Sequence, residues 1–417
     1  MRKKIFLLLI FILILGSFYF FNTSKKDEDS RKKLVFWSIQ LKPIWEKQLS
    51  LIINEFEKKH PEAKIVWVDI PIQEAQKRTL ASILSSTPPD LVNLNPEFSN
   101  ILAQRNTLEI FDNQAVSQFH PNLVNKLKYQ NQIYALPFYA TSPVTIYNQT
   151  VFSKCFPNQT FPKTYDELFK ISKELYTCSN LAPLAINLNE NDTLAKILNK
   201  YNVSNLKTET NKQKTVEIFS KFNEMYKAGF LPKDTLTINH REMIEKYMSN
   251  QAIATTAGSN FINMVKQNAL DTYQNSAIAT QLTGSNGGYD IALMNLIIPK
   301  KAPNKELALE FALLLTNKEN QIDLAKTTNV LPANKFALED DYFKICSDDL
   351  IDKSRCESTK QLSKLSNITF GDENKKAINE YINKAIEDIL LNENSDKKYI
   401  QSKVSDLSKL LKNLIKD

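Results

Sequence analysis

The side chains able to do chemistry in this 417-residue chain are scattered rather than gathered. His60, His120 and His240 lie far apart, and the four cysteines form no CxxC pair, which excludes a zinc ribbon or finger. Nucleophilic hydrolysis needs a Ser, His and Asp that converge, and no such constellation stands out. Glycosidic cleavage needs two convergent carboxylates. The neighbouring acids Asp166 and Glu167 suit instead the first turn of a helix, where the macrodipole favours negative charge. What remains is polar and uncharged: two apolar runs end in Ser38-Ile39-Gln40 and Asn93-Leu94-Asn95.

The elements around those ends alternate. Leu34-Val35-Phe36-Trp37 reads as a buried strand, followed by a helix with Trp45, Leu49, Ile52, Ile53 and Phe56 on one face and a stop at His60-Pro61. Ile65 to Val68 is a second strand, Glu74 to Leu84 a second helix, and Pro88-Pro89-Asp90 turns the chain into a third strand, 91–94. This β-α-β-α-β order predicts a parallel sheet with helices on both faces, and ligands of such sheets sit beyond the carboxyl ends of the strands. Further on, 144–147 and 252–256 read as strands, 164–176 and 304–316 as helices, and 290–298 as a further apolar stretch. The last third carries helical spacing at Ala377, Tyr381, Ala385 and Ile389, then at Val404, Leu407, Leu411 and Leu414. Trp45 and Trp67 fall on apolar faces and read as core.

Composition narrows the classes. The chain is 42% hydrophobic and 24% charged, enough for real cores in two or three units. Seven glycines argue against repeated phosphate-binding loops, and three of them lie in Gly284-Ser285-Asn286-Gly287-Gly288, which suggests a hinge or a backbone near a ligand. The net charge of +7 is mostly terminal, since residues 1–33 hold eight basic and three acidic residues and thus +5 of it. The remainder has no basic stripe, so nucleic acid is not an expected partner.

Arg2-Lys3-Lys4 precedes an apolar run over 5–21, the pattern of an export signal. No small-residue cleavage site follows. A cleaved signal peptide and a retained anchor both remain readings, the missing site leaning to the anchor, with 22–33 as a charged tether. Both put 34–417 outside the cytoplasm, in the periplasm or on the outer face of the membrane. Four cysteines there are read as disulfide pairs, for which three connectivities exist. The sequential one, Cys155 with Cys178 and Cys346 with Cys356, closes the shortest loops and is preferred; four buried thiols are the alternative.

Several segments together resemble one family. Phe36-Trp37 with the helix end Phe56-Glu57-Lys58-Lys59-His60-Pro61, then Pro88-Pro89-Asp90-Leu91-Val92, then Tyr134-Ala135-Leu136-Pro137, Tyr147 to Phe152 and Pro162 to Leu168 follow in its order. Tyr247-Met248-Ser249-Asn250-Gln251-Ala252 with Ala257 to Phe261, then Ile298 to Phe311 and Leu331-Pro332-Ala333, complete the series across about 34–415. The chain resembles the extracellular solute-binding proteins of carbohydrate ABC importers, of the maltose-binding-protein-like kind. Asn250 stands where that family has glycine and Phe261 where it has tryptophan.

The resemblance implies an α/β, two-lobed periplasmic-binding-protein type II fold with discontinuous lobes and a hinge. Lobe one is expected at 34–139 and 291–337, lobe two at 142–287 and 342–417, with crossings near Ala140-Thr141, Gly288-Tyr289 and Ala337-Leu338. It implies capture of a sugar or oligosaccharide by lobe closure and delivery to an ABC permease, with no catalysis, metal or cofactor, by a monomer. A neutral sugar has hydroxyls in many directions and apolar C–H faces, which planar amides and aromatic rings match. The residues expected to touch it are Trp37, Gln40, Asn93, Asn95, Phe138, Tyr139, Asn260, Phe261, Tyr289 and Asn295. A sugar-binding sensor or adhesin, an enzyme cutting polysaccharide, and a binder of another solute such as a glycerophosphodiester are the alternatives.

Overall fold

A computed structural model describes residues 31–365, 374–412 and 414. The apolar run at 5–21 lies outside the described residues, among which no helix is long and apolar enough to cross a membrane. In chain order the strands are β1 (Lys32–Ile39), β2 (Ala63–Ile70), β3 (Leu91–Leu94), β4 (Lys128–Tyr129), β5 (Gln132–Ile133), β6 (Leu136–Thr141), β7 (Val144–Asn148), β8 (Ala254–Ala257), β9 (Ser276–Thr280), β10 (Ala292–Ile297) and β11 (Leu331–Pro332).

The first sheet starts as the alternating pattern dictates. β1 lies parallel to β2, Leu34 opposite Ile65, and parallel to β3, Phe36 opposite Leu91. Leu34, Phe36 and Ser38 point inward at the period of two that a strand imposes. The helix Lys42–Lys59 covers that face with Trp45, Leu49, Ile52 and Phe56, spaced to share one stripe. Asp90 explains the turn before β3: its buried carboxylate accepts the amides of Val35 and Asn304, both at 2.8 Å. Beyond β3 the parallel expectation ends. The described order is β2-β1-β3-β10-β6-β11, and β10 runs antiparallel to both β3 and β6. A strand some two hundred residues downstream is thus wedged into the middle of the sheet.

The second sheet has β7 at its centre, antiparallel to β8 and β9. Long helices share an apolar cluster with it, among them Tyr165–Ser179, Glu209–Lys227, Lys375–Leu391 and Lys397–Lys412. Thr164 and Glu167 close a capping box on the first of these, and Asp166 pairs with Lys221, so both acids serve helix and surface. Cys155 is bonded to Cys178 and Cys346 to Cys356, with Cα atoms 5.8 and 6.4 Å apart.

The apolar core of the first sheet is separate from those of the second. It gathers residues from 34–140 and 291–343, with Leu362 and Leu365; on the second sheet one cluster takes in Ile378 to Leu411 and another joins Val144, Ile146 and Ala257 to Leu350. Ala337 and Leu338, where the third crossing was expected, lie in a 3-10 turn on the first core, which the chain leaves only after Phe343. Phe343, Leu362 and Leu365 thus join the first core although the sequence reading grouped 342–417 with the second lobe.

The low glycine count has a structural counterpart. Nine asparagines, including Asn106, Asn180, Asn202, Asn250 and Asn329, hold positive φ among the described residues. Asparagine is the side chain that tolerates this left-handed region best, so it fills turns usually given to glycine. Asn250, the departure from the family's glycine, sits there at φ 53°. Asn180 ends the helix Tyr165–Ser179 at φ 55°. Asn180→Gly should keep or raise stability by up to ~1 kcal/mol, whereas Asn180→Ala should cost about 1–2 kcal/mol, measured by urea unfolding.

Candidate functional site

The strands of the first sheet stop at a polar rim. At the end of β2, Asp69 accepts the Ser38 hydroxyl and the backbone amides of Leu41 (3.0 Å) and Lys42 (3.1 Å). A carboxylate thereby caps the helix Lys42–Lys59, where exposed N–H groups would otherwise need a partner. Trp67 Nε1 donates to Ser38 Oγ at 2.7 Å, and the Lys42 ammonium lies 5.3 Å from the Trp67 ring. Burial, helped by the Asp69 charge, raises the Tyr139 hydroxyl well above the ordinary phenol value, so it stays a neutral donor. The expectation of strand ends without charge is corrected: Asp69 stands at this rim.

The crossings between the sheets are short and tightly bonded. Only Ser142-Pro143 separates β6 from β7, and 281–291 joins β9 to β10. Gln361 Nε2 donates to Ser142 Oγ and to the Pro143 carbonyl, both at 2.9 Å, and its Oε1 accepts the Gln281 amide at 2.8 Å. Gln281 Nε2 donates to the Asp290 carbonyl at 3.0 Å, and its Oε1 accepts from the Asp290 amide at 2.9 Å. Lys200, fully buried, donates to Gln281 Oε1 (2.7 Å) and the Leu282 carbonyl (2.9 Å), and its ammonium pairs with the Asp290 carboxylate at 2.9 Å. Burial lowers the Lys200 pKa, and Asp290 offsets that only in part.

Charges from the two cores face one another nearby. Lys375, on a second-lobe helix, stands 3.6 Å from Glu97 on a first-lobe helix. Burial lowers the Lys126 ammonium; Asp290 and Glu97 draw it back up while Lys375 and Lys196 press it down. These groups share one field where the two sides meet.

The expected contact residues divide. Trp37 is half-buried on β1 with the Arg78 guanidinium 5.6 Å from its ring, and Gln40 is exposed just beyond, at φ 50°. Tyr139 is half-buried on β6, with β10 and β3 between it and the strand that carries Trp37. Tyr289 is half-buried in the second crossing, its amide bonded to the Lys364 carbonyl at 2.9 Å. Phe261 packs edge-on against His240, ring centres 4.5 Å apart. The side chain of Asn260 lies outside the described residues.

Three residues are corrected to interior roles because they have no exposed surface: Phe138, Asn93 and Asn295. Phe138 packs on Trp45, Asn93 donates to the Asn295 carbonyl at 3.1 Å, and Asn295 Oδ1 accepts from Ser99 at 2.7 Å. Asn95 caps the helix Pro96–Gln104 by accepting the Phe98 amide at 2.9 Å. The glycine cluster also has a framework role. A Cβ on Gly284 would come 2.5 Å from the Lys200 carbonyl oxygen, so this glycine lets the crossing lie against the helix Thr193–Lys200. Sequence reasoning missed Lys200, Asp290, Gln281 and Gln361; the one local signal was a lysine closing an otherwise apolar helix face.

Residues 52–348 match the family of bacterial extracellular solute-binding proteins. The chain belongs to that family. Its fold is shared with solved structures of low identity. A protein from Synechococcus sp. MITs9220 described as an oligosaccharide periplasmic-binding protein is 23% identical, with TM-score 0.78 over 91% of this chain and 99% of that one. The sugar-binding protein MalE from Xanthomonas citri is 16% identical, with TM-score 0.72 over 92% and 98%. The GacH receptor of Streptomyces glaucescens, solved also with acarbose, is 18% identical, with TM-score 0.69 over 93% and 100%. The likeness establishes a two-lobed α/β fold for this solute-binding protein.

The buried pair at the crossing supplies a test. Lys200→Met leaves Asp290 without its cation and should destabilise by about 3 kcal/mol. Lys200→Met combined with Asp290→Asn should recover part of that in the same denaturant titration.

Proposed function

We propose that this solute-binding protein captures a sugar or oligosaccharide between its lobes, closes on it, and presents the closed form to an ABC permease outside the cytoplasm, without breaking bonds. Its lobes are taken as 34–139 with 291–337, and 142–287 with 342–417, Phe343, Leu362 and Leu365 going with the first. The observation that carries the reading is the family match over 52–348; Trp37 and Tyr139, half-buried on β1 and β6, and the exposed Gln40 just past β1 are the proposed first-lobe contacts. An indole face and neutral donors suit the C–H faces and hydroxyls of a sugar. The neighbours' described sugars, among them the acarbose of the GacH receptor and the maltotetraose of a cyclo/maltodextrin-binding protein, support the same class.

The roles of Tyr289 and Phe261 as second-lobe contacts belong to this proposal, as does attachment to the membrane through 5–21. The buried framework roles of Asn93, Phe138 and Asn295 take those three out of the proposed contact set.

The test is a thermal-shift screen of the full chain in detergent against neutral mono- and oligosaccharides. A binder at a hundredfold excess over Kd stabilises by ~2.7 kcal/mol. Trp37→Ala and Tyr139→Ala should each weaken binding by about tenfold, ~1.4 kcal/mol, while the ligand-free transition stays cooperative. Shifts that survive both substitutions would place the sugar elsewhere, and no shift with any sugar would overturn the reading.

A further inference from the structure

The helix Leu350–Gln361 is bonded to both lobes. At its start, Asp349 accepts the Lys266 ammonium (2.8 Å) and the Tyr273 hydroxyl (2.9 Å), both from second-lobe helices, and Leu350 is buried in a second-lobe cluster. At its end, Gln361 and Ser358 hold Ser142 and Pro143, and Gln361 also holds Gln281. The next turn drops Leu362 and Leu365 into the first core.

Between these ends the helix grips the segment arriving from the first lobe. Arg355 is nearly buried; its guanidinium lies 3.7 Å from the Tyr342 ring, and its Nε donates to the Tyr342 carbonyl at 2.6 Å. Tyr342 packs on the first core and Phe343 lies within it. The next residue, Cys356, is bonded to the exposed Cys346.

We infer that this helix is a strut that limits how far the lobes part, and that the Cys346–Cys356 bond is its fastening to the first lobe. The inference rests on the closing motion in the proposed function. Parting the lobes must draw residues 342–346 away from a helix held by Asp349, Ser358 and Gln361. Unfastened, the four links from Cys346 to Leu350 could extend to about 14 Å. Fastened, the Cys346 Cα is held 6.4 Å from that of Cys356, near the middle of the strut. The second disulfide, Cys155–Cys178, joins two second-lobe helices and has no such geometry.

The Glu97–Lys375 contact across the gap gives a direct readout, because a carbodiimide couples a carboxylate to an amine only when they touch. In the ligand-free full chain in detergent, Cys346→Ser with Cys356→Ser should lower the yield of the Glu97–Lys375 cross-linked peptide by about threefold, the mark of a smaller closed population. Arg355→Lys, which loses the flat stack on Tyr342 but keeps the charge and the disulfide, should lower it to a lesser degree. Cys155→Ser with Cys178→Ser should lower the melting temperature and leave the yield unchanged. Equal yields in the strut variants and wild type would overturn the inference, and so would an equal loss in the Cys155/Cys178 control. Maltotetraose added to wild type reads closure separately: no rise in yield counts against closure on such a sugar and leaves the strut comparison intact.

Discussion

The two-sheet arrangement depends on the segments that cross between the sheets, and those rest on a small set of buried polar groups. Gln281, Gln361, Lys200 and Asp290 tie Ser142-Pro143 to the segment 281–290. Buried polar groups are useful only when their partners are all present, since each unpaired one costs desolvation energy. Here the Lys200 ammonium meets three acceptors, and both glutamine amides are engaged at each end. A satisfied network of this kind is directional: it fixes the two crossing segments against each other and against the helix Leu350–Gln361.

The first rim has an anchoring of its own. A helix start left open at the end of β1 would be an anion site. Asp69 fills it from within, accepting both backbone amides and the Ser38 hydroxyl. Under the proposed function, the indole, amide and neutral phenol of this sheet would meet a hydroxyl-bearing guest, while the engaged carboxylate would disfavour an anionic one by like charge.

Much of the fold was legible because it is local. The stripes on Lys42–Lys59 and Lys305–Leu315, the strand alternation of β1 and the acids opening Tyr165–Ser179 are decided within a few residues. The site was less legible because register is not local. Asn93 and Asn295 looked like free strand-end amides, but β10 inserts antiparallel beside β3 and buries both against each other's strand. Nothing near residue 93 announces a neighbour two hundred residues away. Phe138 failed for the same reason, and Lys200 was hidden because its three acceptors come from another segment. The scarcity of glycine was visible; that asparagine takes its left-handed turns, Asn250 among them, was not, since φ is set by the turn and only permitted by the residue.

For the closing motion proposed above, the balance between open and closed forms follows from magnitudes. The Glu97–Lys375 pair spans the gap, yet both side chains keep a third or more of their surface in water. Ion pairs so exposed contribute about 0–1 kcal/mol. Moving a two-state equilibrium from 1:99 to 99:1 takes about 5.5 kcal/mol of differential affinity. The cross-gap charges can therefore trim the resting balance without deciding it. What decides it must touch both lobes at once and be present only when the guest is: a bridging ligand has that property, and a screened pair of surface charges does not.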